Sequence, residues 1–316
     1  MIQIGILALP GTLHSAIYGV IDLLTLANSL HGSQRFTHTT VTADGAPIKS
    51  YSGMPVTPEN ALGEIEPDII LLPPIFNTIE AVLEMGDVID WLTGHHRADK
   101  MIATVCAGSF LLAETGLLNG RDATTHWKLA DRFRQRYPAV NLRVRRMLID
   151  GGDYICAGGV SAVMDLTLHL VARHAGSAIA NRCAKFMLID PRRELQTPYG
   201  MGGFPKNHGD AAILKVQNWL EAQYKSPLRV RQMADQAMLG ERTFLRRFQA
   251  ATGEAPIQYL QQVRVEAARG LLERTPLNVE TVAEAAGYMD YSAFRKVFKR
   301  IMGCSPAAYR QQFGMI

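Results

Sequence analysis

At 316 residues the chain has room for two or three ordinary domains, and 47% hydrophobic with 20% charged residues excludes a disordered tail-like protein. The formal charge of +4 is uneven: residues 211–316 hold 15 Lys and Arg against 9 Asp and Glu, so a polyanion partner is expected at that end only. Four cysteines without a CxxC pair, and nine histidines without an HExxH set, point away from a disulfide framework, a metal centre or another cofactor and toward a reducing cytoplasm.

The opening stretch "MIQIGILALPG" has no basic flank or small-residue cleavage site and reads as a first strand. Helical spacing follows over 15–30, β-like alternation over 36–43 and a buried-strand run over 67–73. A helical pattern over 78–98 is interrupted at Gly86. Residues 100–106, "KMIATVC", read as a strand that turns at once into a helix over 107–116, ended by Gly116. A hairpin is expected around Gly151–Gly152, then two helices near 160–174 and 177–188. The run "AGGVSAVMDLTLHLV" is too short to span a bilayer, so no membrane partner is expected. Strands alternating with helices imply a doubly wound parallel sheet covered on both faces.

From 190 the texture changes. Residues 191–210 are rich in Pro and Gly, lack periodicity and read as a linker between a domain over 1–190 and a helical one over 211–316. The helical part repeats itself. Phe244, Phe248, Gly253, Pro256 and Tyr259 recur 50 residues later as Phe294, Phe298, Gly303, Pro306 and Tyr309. Each copy has an upstream apolar stripe, Val230, Met233, Ala234 and Ala237 in one and Val279, Val282, Ala283 and Ala286 in the other. A tight turn separates stripe from repeat, with Gly240 and Asp290 placed as N-caps. This spells helix-turn-helix twice.

The second helix of each unit points its phenylalanines inward and a polar face outward. That face carries Arg242 and Arg246 with Thr243 and Arg247 beside them, then Tyr291, Arg295 and Lys299 with Ser292 and Lys296. Such side chains suit phosphates and guanine edges, and a short helix of this kind enters one major groove of double-stranded DNA. The amphipathic stretch 255–274 between the units reads as a stiff connector that lets one chain address neighbouring grooves. These nine residues are the expected DNA contacts.

Residues 211–316 resemble the DNA-binding domain of the AraC/XylS regulators, and "VRVEAARGLLERTPLNVETVAEAAGYMDYSAFRKVFKRIMGCSPAAYR" carries that family's signature. By that resemblance the helices over 241–250 and 291–300 are the two recognition helices. Gly240 stands where the family commonly has Ser, and Tyr288 where it commonly has Phe.

In the first domain, a thiol between a strand and a helix start feels free N–H groups and the helix dipole, as at a nucleophile elbow. "VCAGSFLLAETGLLNGRDATTHW" and "AGGVSAVMDLTLHLV" resemble the PfpI/ThiJ-like domain of the class I glutamine amidotransferase-like superfamily, in the GlxA-like form fused to AraC-type ends. The resemblance implies a flavodoxin-like, amidotransferase-like fold with Cys106 at the elbow and His126 nearby. Enzymatic members carry an acid early in the first helix. Ala16 occupies that position here, no Asp or Glu occurs over residues 1–21, and Ala107 follows the cysteine where hydrolytic members have His. No catalysis is therefore expected. Cys106 reads first as a ligand-pocket residue, with His126 and Trp127, next as a buried apolar-like residue, and last as a nucleophile or redox sensor.

The expectation is a cytoplasmic, sequence-specific transcriptional regulator whose first domain senses a small-molecule effector and forms a homodimer. RNA polymerase is a candidate further partner. The GlxA-like resemblance implies amino-acid-derived or quaternary-amine effectors. The alternative is a thiol-dependent amidase-type or carbonyl-modifying enzyme, using Cys106 and His126, with an appended DNA-binding module.

Overall fold

The computed structural model describes residues 1–76, 79–200, 204 and 206–315. It divides into two compact units, Met1–Gln196 and Thr197–Ile316. In the first, β1 (Ile2–Leu7), α1 (His14–His31) and β2 (Phe36–Thr42) are followed by short strands β3 (Ile48–Lys49), β4 (Pro55–Val56) and β5 (Asn60–Ala61). Next come β6 (Ile69–Leu72), α2 (Ile79–Leu83), α3 (Gly86–Arg97), β7 (Met101–Val105) and α4 (Gly108–Glu114). The unit closes with β8 (Asp122–Ala123), α5 (Ala130–Arg136), β9 (Asn141–Leu142), β10 (Leu148–Asp150), β11 (Tyr154–Ala157), α6 (Ala162–Ala175) and α7 (Ser177–Phe186).

Seven strands form one sheet in the order β10-β11-β7-β6-β1-β2-β5, and only β10 runs antiparallel to its neighbour. Strands buried on both faces need continuous apolar runs, and Ile4, Ile6, Ile70, Leu71, Ile102, Ala103 and Val105 are fully buried. Helices α1, α6 and α7 pack together as one group, and α2, α3 and α4 as another. The fold is the doubly wound, mostly parallel sheet expected. The helix expected over 78–98 is two helices that part before Gly86, and its first residue, Thr78, lies outside the described residues.

Segment 191–210, read as a linker, is tied down for much of its described length. Met147 N donates to Glu194 O at 2.8 Å and Gln196 N to Arg145 O at 3.0 Å, extending a strand-like pairing along the first unit. Arg193 donates its fork to the largely buried Asp165, Nε reaching Oδ1 at 3.1 Å. The chain enters the second unit at Thr197, whose Oγ1 donates to Ile301 O at 2.8 Å. Backbone polar groups leaving a domain surface still seek partners, and here Glu194 O finds the Met147 N–H and the Gln196 N–H finds the Arg145 carbonyl. The linker positions 201–203 and 205 lie outside the described residues.

The second unit holds α8 (Ala211–Gln223), α9 (Val230–Gln236), α10 (Glu241–Thr252), α11 (Pro256–Arg274), α12 (Val279–Ala285), α13 (Tyr291–Met302) and α14 (Pro306–Phe313). The sequence repeat is a structural one. Phe244 and Phe248 meet edge to face at 5.4 Å and Phe248 meets Tyr259 at 5.4 Å; Phe294, Phe298 and Tyr309 repeat this chain of rings at 5.5 and 5.7 Å. Tyr259 donates its hydroxyl to Glu221 on α8, and Tyr309 to Glu273 on α11. Helix α11 serves both cores, with Tyr259, Leu260 and Val263 in the first and Val265, Ala268 and Leu272 in the second. No helix among the described residues is long and apolar enough to cross a membrane.

Candidate functional site

The elbow is built as a strained turn. Cys106 has φ of 58°, a left-handed conformation unusual for a residue with a side chain. Two hydroxyls hold it there: Ser109 Oγ and Thr125 Oγ1 each donate to Cys106 O at 2.9 Å, while Cys106 N donates to Ala157 O at 2.8 Å. Strain kept in place by surrounding bonds is characteristic of functional turns. Cys106 lines a cavity of about 390 Å³ at the carboxyl end of β7, where open parallel sheets take ligands.

The cavity wall is apolar along Ile75, Phe76, Ile79, Leu129 and Val160, and polar at Glu80, His126, Lys128 and Arg132. Cys106 and His126 thus share one cavity. Trp127 does not line it: its indole lies under Lys128 Nζ, 5.3 Å from the ring centroid, and its backbone N–H donates to Gln196 Oε1 at 3.2 Å. The expected aromatic wall is supplied by Phe76 instead. Glu80, Lys128 and Arg132 were not expected. Lys128 and Arg132 sit one helical turn apart just after His126, which is the signal available in sequence.

The chemistry of the thiol is passive. Burial pushes the Cys106 pKa up to about 12, and the Ala107 N–H lowers it by less. The elbow therefore fails to deliver the activated thiolate its geometry suggests, because desolvation outweighs the helix start. Ala16, which the sequence resemblance sets in place of the enzymatic acid, is a buried methyl group. A carboxylate does border the cavity, Glu80, but it is largely exposed and paired with Arg132. His126 is held neutral first by burial and then by Lys128. Its Nδ1 accepts from Lys128 N at 3.1 Å, leaving Nε2–H as a donor for the cavity. Among the described residues no group of three His, Cys, Asp or Glu is placed to hold a metal.

The second unit presents its two matched helices. On α10, Arg242, Thr243 and Arg246 are exposed opposite the buried Phe244 and Phe248. Arg247 is used differently: its fork is bidentate with Asp210, Nε to Oδ2 at 2.8 Å and Nη2 to Oδ1 at 2.7 Å, and Asp210 also caps α8. Arg247 therefore braces α10 against α8 and stands apart from the exposed stripe. On α13, Ser292, Arg295, Lys296 and Lys299 are exposed, while Tyr291 is half-buried with the Arg295 guanidinium 5.8 Å from its ring centroid.

The turns before the two helices differ in detail. Asp290 caps α13 by accepting from Ser292 N at 2.8 Å, whereas Gly240 offers α10 no side-chain cap. The left-handed turn position is Met238 (φ 55°) in the first unit and Gly287 (φ 87°) in the second. Only glycine fits at 287, because a Cβ there would lie 2.8 Å from Lys225 Cα and 2.9 Å from Tyr224 O.

Two family models match the chain: the DJ-1/PfpI family over residues 18–173 and a helix-turn-helix domain over residues 233–312. The chain is 29% identical over 313 residues to the HTH-type transcriptional regulator CdhR of Pseudomonas aeruginosa, covering 96% of this chain and 90% of the relative. It is 28% identical over 303 residues to the HTH-type transcriptional regulator GlxA of Rhizobium meliloti, covering 92% and 90%. A solved structure of an AraC family transcriptional regulator from Pseudomonas putida matches the fold with a TM-score of 0.54 at 17% identity, over 59% of this chain and 100% of that one.

Proposed function

We propose, for a chain that joins a DJ-1/PfpI domain to an AraC-type helix-turn-helix domain and is a DNA-binding transcriptional regulator, that the cavity over Cys106 is its effector site. The single observation that carries this reading is the cavity itself, which is apolar on one side and set with a neutral His126 donor, Lys128 and the Glu80–Arg132 pair on the other. A small amino-acid-derived metabolite suits it, with a carboxylate toward Lys128 and an alkyl or quaternary-amine part against Phe76 and Leu129. The raised thiol pKa supports Cys106 as a wall rather than a nucleophile.

The same proposal gives α10 and α13 the role of reading helices, through Arg242, Thr243 and Arg246 and through Tyr291, Ser292, Arg295, Lys296 and Lys299. It further makes the protein a homodimer on a paired operator, in contact there with RNA polymerase, in the cytoplasm. Ligand must then favour one arrangement of the protein over another, since equal affinity for both shifts nothing.

A thermal-shift screen of amino-acid-derived metabolites tests the cavity, run on wild type and on Val160→Trp, which fills it. A ligand present at a hundred times its Kd stabilises the native state by about 2.7 kcal/mol. Compounds should raise the Tm of wild type and leave Val160→Trp unmoved. Equal shifts in both proteins would remove the cavity as the effector site.

A further inference from the structure

Gln196 is the last residue of the first unit and one of its most enclosed polar side chains, at 2% exposure. Its amide Nε2 donates to Thr125 O at 2.9 Å and lies 3.2 Å from both Thr124 Oγ1 and Arg146 O. Its Oε1 accepts from Trp127 N at 3.2 Å. The side chain thus grips the backbone on either side of His126, the cavity residue, and Thr125 in turn bonds the carbonyl of Cys106. Gly158 makes room for it: a Cβ there would stand 2.5 Å from Gln196 Nε2.

The next residue begins the second unit. Thr197 is buried and donates to the carbonyl of Ile301, in the last turn of α13. Pro198 O accepts from Tyr309 Oη at 3.3 Å. No free residue separates the bonds of Gln196 from those of Thr197. A buried amide whose bonds are expensive to leave unmade therefore ties the 124–128 loop to the residue that adjoins Thr197 in the chain.

We propose that Gln196 is the positioning residue that couples the cavity loop 124–128 to the reading helix α13. The proposal rests on the cavity being the effector site, but coupling is reciprocal, so it is testable from the DNA side without any effector. If ligand at the cavity changes DNA affinity through Gln196, DNA must change the cavity's affinity for ligand by the same factor, and the loop that lines the cavity is where that change is read.

The experiment uses the full chain and a DNA duplex selected by it from a random pool. Hydrogen exchange is measured at 124–128 with and without that duplex, in wild type, in Gln196→Met and in Gly158→Ala. Gln196→Met keeps the bulk under Gly158 and loses all four bonds; Gly158→Ala displaces the amide from the opposite side and covers a Gln196 variant that fails to fold. In wild type the duplex should change exchange at 124–128 by about fivefold or more, the lower end of ordinary allosteric coupling. In both variants that change should vanish while DNA affinity stays within about threefold of wild type, a separation that simple destabilisation would not produce. The proposal is overturned by a wild-type loop indifferent to DNA, or by variants that respond as wild type does. A metabolite screen that finds nothing while the DNA response depends on Gln196 removes the effector reading and leaves the coupling standing. A chain that selects no DNA removes both.

Discussion

Alkylation of Cys106 tests most sharply whether the elbow is a working nucleophile. With the thiol pKa pushed up to about 12, the thiolate fraction at pH 7.5 is on the order of 3 in 100,000, because only the deprotonated form reacts. The same cysteine in the unfolded chain, with a pKa of about 8.5, is roughly one-tenth thiolate. Folding should therefore slow its reaction with iodoacetamide by about 3,000-fold before any steric screening is added. The assay is timed alkylation at pH 7.5, quenched and mapped by peptide mass, on native protein and on protein in guanidinium. Cys304 is the internal reference, since it is only half-buried and should be labelled before the buried Cys106, Cys156 and Cys183. If native Cys106 is labelled as fast as its unfolded counterpart, or ahead of Cys304, the passive-wall argument is wrong and an activating group has been missed.

Other consequences concern stability and the division of labour among arginines. His95 is buried on α3 with its Nε2 unpartnered, and burial lowers its pKa to about 4. Protons then bind the unfolded chain first, so stability is intact above pH 6.5 and falls as pH drops toward 4. Between pH 7 and pH 5 the loss is on the order of 2 kcal/mol, and guanidinium unfolding of His95→Phe should show it removed; an unchanged pH dependence contradicts the assignment. Phe298→Ala empties the centre of the second helical core and should cost about 3–5 kcal/mol by chemical denaturation, with Phe248→Ala costing a similar amount in the first. A cost below about 1 kcal/mol for either would show the matched ring triads are not the cores they resemble. Arg247→Ala should lower Tm, by releasing α8 from α10, and leave the preferred DNA sequence unchanged; a changed base preference would return Arg247 to the reading face.

The sheet was legible because buried strands write themselves as β-branched runs, as in 69–72 and 101–105, and the β10–β11 hairpin because Gly151–Gly152 marks its turn. The ribbons β3–β4 and β8–β9 were not, since two-residue pairings carry no period. The paired helix-turn-helix was readable through its 50-residue repeat, which fixes inward and outward faces together. Arg247 was misplaced because its partner Asp210 lies 37 residues upstream, in what reads as linker. Cys106 and His126 were readable from their local motifs. Glu80 and Arg132 meet from separate elements, and Gln196 binds loops about 70 residues away, so no window of sequence contains either relation. Electrostatics was the other blind spot: the elbow motif promises a low thiol pKa, and only burial in three dimensions reverses the sign.

The central claim is that one chain reads DNA with two separate helices. It is tested most directly by selecting duplexes from a random pool with wild type, Arg246→Ala and Arg295→Ala. Each arginine bonded to a guanine edge should cost about 1–3 kcal/mol when removed and relax preference at its own position. The account predicts that the two variants lose different blocks of the wild-type motif, centred about one helical turn, roughly 10 base pairs, apart. Loss of the same block in both, or an unaltered motif in either, would contradict it.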